Sequence, residues 1–345
     1  MIEVRSLWKV FGSGANAAAI DLARNGADRS EILQRTGSTI GVRDVSFSVA
    51  KGETFVVMGL SGSGKSTLIR CLCALHDVTS GDIEIDSKSL VGMDPATLLS
   101  LRRTKMAMVF QHFGLFPHRR VIDNIAYGLE VQGVGKRERR ERAGDVLDLV
   151  GLSGWADHYP DQLSGGKQQR VGLARALALN PEILFFDEPF SALDPLIRRD
   201  MQDELLRLQR DLRRTIVFIT HDFSEALRLG DRIAVMKDGV FEQVGTPEEV
   251  VAHPATDYVR AFTRDVPRSK VLRARTIMST DATGASLIHG QRTVGPDDLV
   301  ETLIPRFLAD PSPVQVVGPG DVVLGAITAQ QVSAVLSADP AVISA

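Results

Sequence analysis

The chain has 345 residues, 44% of them hydrophobic and 24% charged, which is enough to bury a full core and to build two domains. A formal net charge of −3 gives no general case for nucleic-acid binding. No stretch approaches the roughly 20 apolar residues of a membrane span and the start lacks a charged-then-apolar leader, so a peripheral intracellular protein is expected.

Near the start, Trp8-Lys9-Val10-Phe11-Gly12 precedes an Ala-rich segment from Ser13 to Thr39, with a capped helical stretch from Ser30 through Arg35 closed by Gly37. A strand over Val42 to Val49 follows. Thr54-Phe55-Val56-Val57-Met58 is a short apolar run of strand formers and reads as a buried parallel strand. It feeds Gly59-Leu60-Ser61-Gly62-Ser63-Gly64-Lys65-Ser66-Thr67, a full match to the GxxxxGK-then-Ser/Thr phosphate loop in its required strand-turn-helix context. Glycines at 59, 62 and 64 let the backbone curl so that successive N–H groups converge on an anion. The helix carried by Thr67 to Leu72 would aim its first amides at the phosphates. Lys65 would then reach the β- and γ-phosphates, and Ser66 would bind Mg²⁺. Cys71 and Cys73 on that helix read as small buried residues of a reducing compartment, not as a disulfide or metal site.

Met108-Val109-Phe110-Gln111 is another short apolar run, whose terminal glutamine could reach the metal and the attacking water. Beside it, Phe113 to Pro117 forms a surface loop. Between Gln111 and Ser164 the pattern turns helical, with Ala143 to Val150 apolar at helical spacing and Gly151 closing the turn. The basic run Lys136-Arg137-Glu138-Arg139-Arg140-Glu141-Arg142 is interleaved with glutamates and reads as a solvated helix face.

Ser164-Gly165-Gly166 opens a second helix, Lys167 through Ala178, stopped by Asn180-Pro181. A helix start with a small polar cap and two glycines is an anion site, yet the chain already owns a phosphate loop. The second one makes sense if it completes the site of a partner copy, with ATP held between the two. A plain helix cap is the alternative.

Ile183-Leu184-Phe185-Phe186-Asp187-Glu188 is an apolar run ending in two carboxylates. Asp187, at the carboxyl end of a buried strand, is placed to hold the Mg²⁺ bound by Ser66, and Glu188 to orient and polarise water. An acidic helix start before Pro189 is the competing reading. Ser191-Ala192-Leu193-Asp194 lies close behind, where Asp194 could touch a neighbouring subunit. Thr215-Ile216-Val217-Phe218-Ile219-Thr220 leads into His221, a γ-phosphate sensor if it projects from the same carboxyl edge, as open α/β sheets arrange their sites. Arg232 to Met236 and Val240 to Val244 flank Asp238-Gly239, a hairpin signal. Thr263 to Arg275 reads as a charged, Pro-containing connector. Beyond it, Val314 to Val317 and Val322 to Ile327 flank Pro319-Gly320 as a second hairpin, followed by a helix over Ala329 to Leu336.

The phosphate loop, Gln111, LSGGKQ, LFFDEP, SALD and His221 occur in the order found in ATP-binding subunits of ABC transporters, and over residues 1 to 265 the chain resembles that family. The resemblance implies a P-loop NTPase fold of class α/β: a parallel-sheet core, an antiparallel β subdomain and a helical subdomain at about 112–163. It implies an ATP- and Mg²⁺-dependent ATPase acting as a homodimer on the cytoplasmic face of the membrane, with integral-membrane permease subunits and a substrate-binding protein. It places Phe11 where the family stacks an aromatic on adenine, although Phe departs from the commoner Tyr and a core role is the alternative. The wording MGLSGSGKSTLIR, MVFQHFGLFPHRRVIDN, SALDPLIRRDMQDELLRLQ and VGTPEEVVAHPATDYVRAF resembles the quaternary-amine uptake branch, which imports glycine betaine, proline betaine or choline. So does the insertion at about 13–39, which a decorative surface hairpin would also satisfy. Residues 276–345 resemble one degenerate CBS repeat, which either pairs across the dimer or is a relic.

Overall fold

The structure is a computed structural model and describes residues 1–12, 14, 16–111, 114–280 and 292–337. Phe113, Ser13 and parts of the C-terminal segment lie outside the described residues. The chain divides into two units, Met1–Glu242 and Gln243–Ala345. That division falls before the expected boundary near 265.

The first unit opens with strand β1 (Ile2–Phe11), helices α1 (Asn16–Arg24) and α2 (Arg29–Thr36), and strand β2 (Thr39–Val49). The helical insertion is therefore present. Asp28 caps α2 by accepting from the Glu31 N–H, and Gly37 ends it at a left-handed φ of 65°, where a Cβ would be strained. The two helices cover their own small core: Ala19, Ile20, Ala23 and Ile32 close over Trp8 and Val10 of β1 and Ile40 of β2. The helical hairpin thus shares a buried core with β1 and β2.

Strand β3 (Thr54–Met58), helix α3 (Lys65–Leu72), strands β4 (Ser80–Ile85) and β5 (Lys88–Ser89), helix α4 (Pro95–Thr104) and strand β6 (Met106–Val109) follow. Helices α5 (Val121–Ile125), α6 (Tyr127–Val131), α7 (Lys136–Leu149) and α8 (Gly165–Leu177) make the helical region. Strand β7 (Ile183–Asp187), helix α9 (Pro195–Leu212), strand β8 (Thr215–Thr220), helix α10 (Phe223–Leu229) and strands β9 (Arg232–Lys237) and β10 (Val240–Gly245) complete the core. One sheet has the order β2-β1-β4-β5, and β1 pairs antiparallel with both β2 and β4. The other has the order β10-β9-β3-β8-β7-β6.

In that second sheet β3, β6, β7, β8 and β9 run parallel. Every residue of β3, β7 and β8 is buried, as continuous apolar strands covered on both faces must be. Register aligns Met58 with Thr220, Asp187 with Ile219, and Val109 with Phe186. The carboxyl ends of four strands therefore meet along one edge.

In the second unit helices α11 (Pro247–Ala252), α12 (Asp257–Thr263) and α13 (Ala274–Ile277) precede strand β11 (Thr293–Val294) and helix α14 (Val300–Ala309). Strands β12 (Val314–Val317) and β13 (Val323–Ile327) and helix α15 (Ala329–Ser337) end the described chain. The second hairpin forms where the sequence puts it, β12 pairing antiparallel with β13, and β11 adds in parallel to β12. The segment expected as a connector is ordered instead. Leu272 and Ala274 are fully buried, and Arg273 and Arg275 both reach Glu248 of α11, at 2.7 and 3.0 Å.

Candidate nucleotide site

The phosphate loop leaves β3 at Gly59 and returns as α3 at Lys65. Two backbone constraints fix it from behind. The Gly239 N–H, at the tip of the β9–β10 turn, donates to the Ser63 carbonyl at 2.8 Å. Gly64 takes a left-handed φ of 110°, and a Cβ there would fall 2.3 Å from the Gly41 carbonyl oxygen, so only glycine lets β2 approach this closely. The sequence marked Asp238-Gly239 only as a turn; a backbone contact across that distance in the chain leaves no spacing or period to read.

Lys65 is 4% exposed. Its ammonium donates to the carbonyls of Gly59 at 2.8 Å and Leu60 at 3.0 Å, and lies 3.6 Å from Glu188 Oε1. Burial pulls its pKa below the ordinary lysine value, and the charge of Glu188 opposes that pull. Ser66 Oγ donates to Asp187 Oδ1 at 2.9 Å across the sheet edge. Desolvation pushes the Asp187 carboxyl up, with the Ser66 hydrogen bond working against it. Two hard oxygen donors converging at a buried edge fit a small divalent cation such as Mg²⁺.

Glu188 sits one residue past the end of β7 at a φ of 46°, a strained position for a side chain with a Cβ. Its N–H donates to the Ile219 carbonyl at 3.0 Å, which holds it in line with the strands. The carboxylate is shared, with Oε1 toward Lys65 and Oε2 at 2.9 Å from His221 Nδ1. Lys65 and His221, which the sequence places after two other strands, are therefore both within reach of the Glu188 carboxylate. Behind His221 lies a buried polar group that the sequence did not announce. Glu225 of α10 accepts from Thr220 Oγ1 at 2.6 Å and from Gln202 Nε2 of α9 at 3.1 Å, with Arg198 3.9 Å away.

The remaining residues divide. Gln111 lies two positions past the end of β6 on the same edge. Phe11 is 40% exposed, so the core alternative fails; its ring meets His76 edge-on at 5.5 Å and Lys9 sits 5.0 Å over it. Gly41 separates that ring from Thr67, since a Cβ on it would be 2.9 Å from both. Ser164 holds the N-cap position of α8 with an extended backbone, yet its hydroxyl makes no cap bond, unlike the expectation for a good N-cap; it and Gly165 are exposed. Gly166 is buried against α9, where a Cβ would lie 2.5 Å from Ile197 Cγ2. Asp194 caps α9, accepting from Leu196 N at 3.1 Å and Ile197 N at 3.0 Å, which commits one of its oxygens within the chain. Cys71 and Cys73 are free and buried, and burial raises the Cys71 thiol to about 11, so neither is poised as a thiolate.

A phosphate loop backed by a parallel sheet, with a carboxylate pair and a histidine on the adjoining strand ends and a glycine-led helix start downstream, defines a P-loop ATPase of the cassette type. A family model described as "ABC transporter" matches residues 42–191. The glycine betaine/carnitine transport ATP-binding protein GbuA of Listeria monocytogenes is 57% identical over 277 residues, 80% of this chain and 70% of its own. The trimethylamine N-oxide transport system ATP-binding protein TmoW of Pelagibacter ubique is 48% identical over 327 residues, 95% of this chain and 94% of its own. Among solved structures, a dimeric bacterial ABC transporter cassette superposes with a TM-score of 0.61 at 33% identity, covering 72% of this chain and 99% of its own. The chain belongs to the ATP-binding subunits of ABC transporters, in the quaternary-amine uptake branch, and is an ATPase of that family.

Proposed function

We propose that this chain is the ATP-hydrolysing subunit of an importer for a small methylated amine such as glycine betaine. It would work as a homodimer at the cytoplasmic face of the membrane, beside integral-membrane permease subunits supplied by a substrate-binding protein. The observation that carries the catalytic reading is the single carboxylate of Glu188, 2.9 Å from His221 and 3.6 Å from Lys65. The resemblance to transport proteins for glycine betaine, carnitine and trimethylamine N-oxide supports the substrate class.

In this reading the loop from Gly59 to Thr67, with Ser61, Gly62, Ser63 and Gly64 presenting backbone amides, cradles the phosphates of ATP, and Lys65 turns from its loop carbonyls to the β- and γ-phosphates. Ser66, Asp187 and Gln111 would hold Mg²⁺, which offsets phosphate charge when bound. Glu188 orients and polarises the attacking water, a contribution of about 10²- to 10⁴-fold in rate, and His221 senses the γ-phosphate. Phe11 offers an exposed ring to adenine. Ser164, Gly165 and Gly166 complete the partner copy's site, and the uncommitted Ser164 hydroxyl at an exposed helix start supports that role. Asp194 flanks the same junction.

Beside Gln111, a pocket of about 280 Å³ is lined by Leu75, Phe110, Met108, Tyr127 and Leu179. Its exposed apolar rim suits a short cytoplasmic helix of the permease, so the groove couples hydrolysis to gating. No helix among the described residues is long and apolar enough to cross a membrane. A cage for a methylated ammonium needs aromatic faces, and the chain has only two Trp and three Tyr, so substrate recognition is assigned to a partner.

Glu188→Gln should bind ATP, hydrolyse it at least about 10²-fold more slowly, and accumulate as a dimer in saturating magnesium ATP, read by light scattering. A variant that stays monomeric beside its permease, or that hydrolyses at the parent rate, rejects the reading. Copurifying the permease and recording which solute stimulates turnover names the substrate.

A further inference from the structure

The insertion between β1 and β2 does more than fill its own core. Arg29, the first residue of α2, extends its guanidinium to the phosphate loop. Nη1 donates to the Gly62 carbonyl at 3.1 Å and Nη2 to the Ile40 carbonyl of β2 at 2.9 Å. Asp238, in the β9–β10 turn, is 3.5 Å from Nη1. One planar group thus ties together the loop, the edge of β2 and the turn whose neighbour Gly239 already holds the Ser63 carbonyl. Its Nε is buried with no hydrogen-bond partner among the described residues, so packing, not a further bond, sets the position of the fork.

The backbone on the other side of these bonds carries glycines at 59, 62 and 64, whose ordering costs more conformational entropy than that of other residues. Gly62 adopts a left-handed φ of 80°, and a Cβ there would meet nothing within 4 Å. Within the loop, the peptide between Gly62 and Ser63 is held by the Ser63 N–H donating to the Leu60 carbonyl at 3.2 Å, and Arg29 adds a side-chain donor to its Gly62 carbonyl. A glycine-rich loop that binds phosphates by its amides must be ordered before or during binding, and that ordering costs conformational entropy. An arginine fork suits this task better than an ammonium, because its rigid donors can serve two carbonyls at once.

We propose that Arg29 is a positioning residue for nucleotide: through it the insertion clamps the phosphate loop from outside and preorganises its amides for the phosphates. The inference rests on the reading that ATP binds at this loop. The inserted hairpin is then a part of the nucleotide site, supplied by a segment remote from the phosphate motif in sequence. Asp28, which caps α2, and the closed packing of Ile32 and Ala23 fix the helix start that aims the arginine.

The test compares the full chain with Arg29→Met, which keeps the apolar stem, and with Arg29→Lys, which keeps charge and one donor arm. Isothermal titration with magnesium ADP gives the dissociation constant, and steady-state assays give kcat and KM for ATP. Loss of a charged hydrogen bond predicts roughly tenfold weaker ADP binding and a similar rise in KM in Arg29→Met. At saturating ATP kcat should stay near the parent, because Arg29 approaches neither Glu188 nor the water it would orient. Arg29→Lys should recover part of the affinity. Parent-like ADP binding in Arg29→Met overturns the proposal. So does weakened binding that Arg29→Lys leaves unimproved, since that assigns Arg29 to hairpin packing alone. Failure of the ATP reading itself shows separately, as a parent that binds no nucleotide or binds it equally well after Lys65→Ala.

Discussion

At the residue scale, the site stores unfavourable charge placements that a nucleotide and its cation would relieve. Lys65 is held below its ordinary pKa and Asp187 above its own by the same desolvation, so each is ready for an opposite charge. Glu225, one turn beyond His221, is a structural counterpart with no such ligand. It is 4% exposed. Desolvation raises its pKa, with Asp222 adding to the rise while hydrogen bonds from Thr220 and Gln202 and the charge of Arg198 oppose it. The sign follows directly. A carboxyl whose folded pKa is raised binds its proton more tightly in the native state, so its contribution to stability falls as pH climbs from the ordinary carboxylate range through the folded value. Glu225→Gln removes that titration. The melting temperature of the variant relative to the parent should therefore improve as pH rises from about 4 upward, on a scale of roughly 2–4 °C, which corresponds to about 1 kcal/mol in a large domain. Thermal melts of both proteins across pH check it, and a difference that shrinks with rising pH would show that Glu225 is held as a stabilised carboxylate.

At the scale of elements, the start of α8 is fixed by its contact with the start of α9. Gly166 is helical, and an added Cβ would fall 2.5 Å from Ile197 Cγ2, an atom on a branched side chain that cannot swing aside cheaply. Gly166→Ala should cost about 1–3 kcal/mol through overpacking, despite alanine's better helix propensity. Ile197→Ala opens the space, so the double variant should be more stable than the sum of the two single changes predicts; additive effects in denaturant melts would dismiss the contact. The same elements show what the sequence conveys. Strands β3, β7 and β8 were legible because each is a contiguous apolar run ending in its functional residue, and the register of a parallel sheet then brings Gly59, Glu188 and His221 to one edge without further information. The Gly239–Ser63 bond and the reach of Arg29 were not legible, because each is a contact between distant segments whose geometry leaves no trace in spacing; the Asp194 cap, by contrast, carries the local signal of Asp followed by Pro at a helix start. The segment from 263 to 275 misled for a related reason. Its charge and proline suggest a connector, but Arg273 and Arg275 have a partner, Glu248, that only the fold supplies.

At the scale of the whole molecule, the site residues described above all belong to the first unit, Met1–Glu242. A tail over residues 276–345 that tunes activity in response to ionic conditions would need charged groups whose pairing depends on salt. Within the second unit Glu248 of α11 gathers Arg273, Arg275 and the Thr276 hydroxyl at 2.7, 3.0 and 3.0 Å, while Arg275 also reaches the exposed Asp297 at 2.5 Å. Exposed pairs are screened as salt rises, with a Debye length of about 8 Å at physiological ionic strength, whereas the half-buried bonds to Glu248 are screened much less. A charged cluster with one screened and one shielded arm changes its balance of contacts with salt. Truncation after Arg268 removes every cationic partner of Glu248 named here. In reconstituted transporter, the truncated protein should keep ATP turnover while its transport becomes insensitive to added potassium chloride over the range in which the parent responds. Glu248→Gln in the full chain separates loss of the cluster from loss of the tail, and should flatten the response partially. Equal salt dependence in the parent and the truncated protein would place the ionic sensor in another subunit.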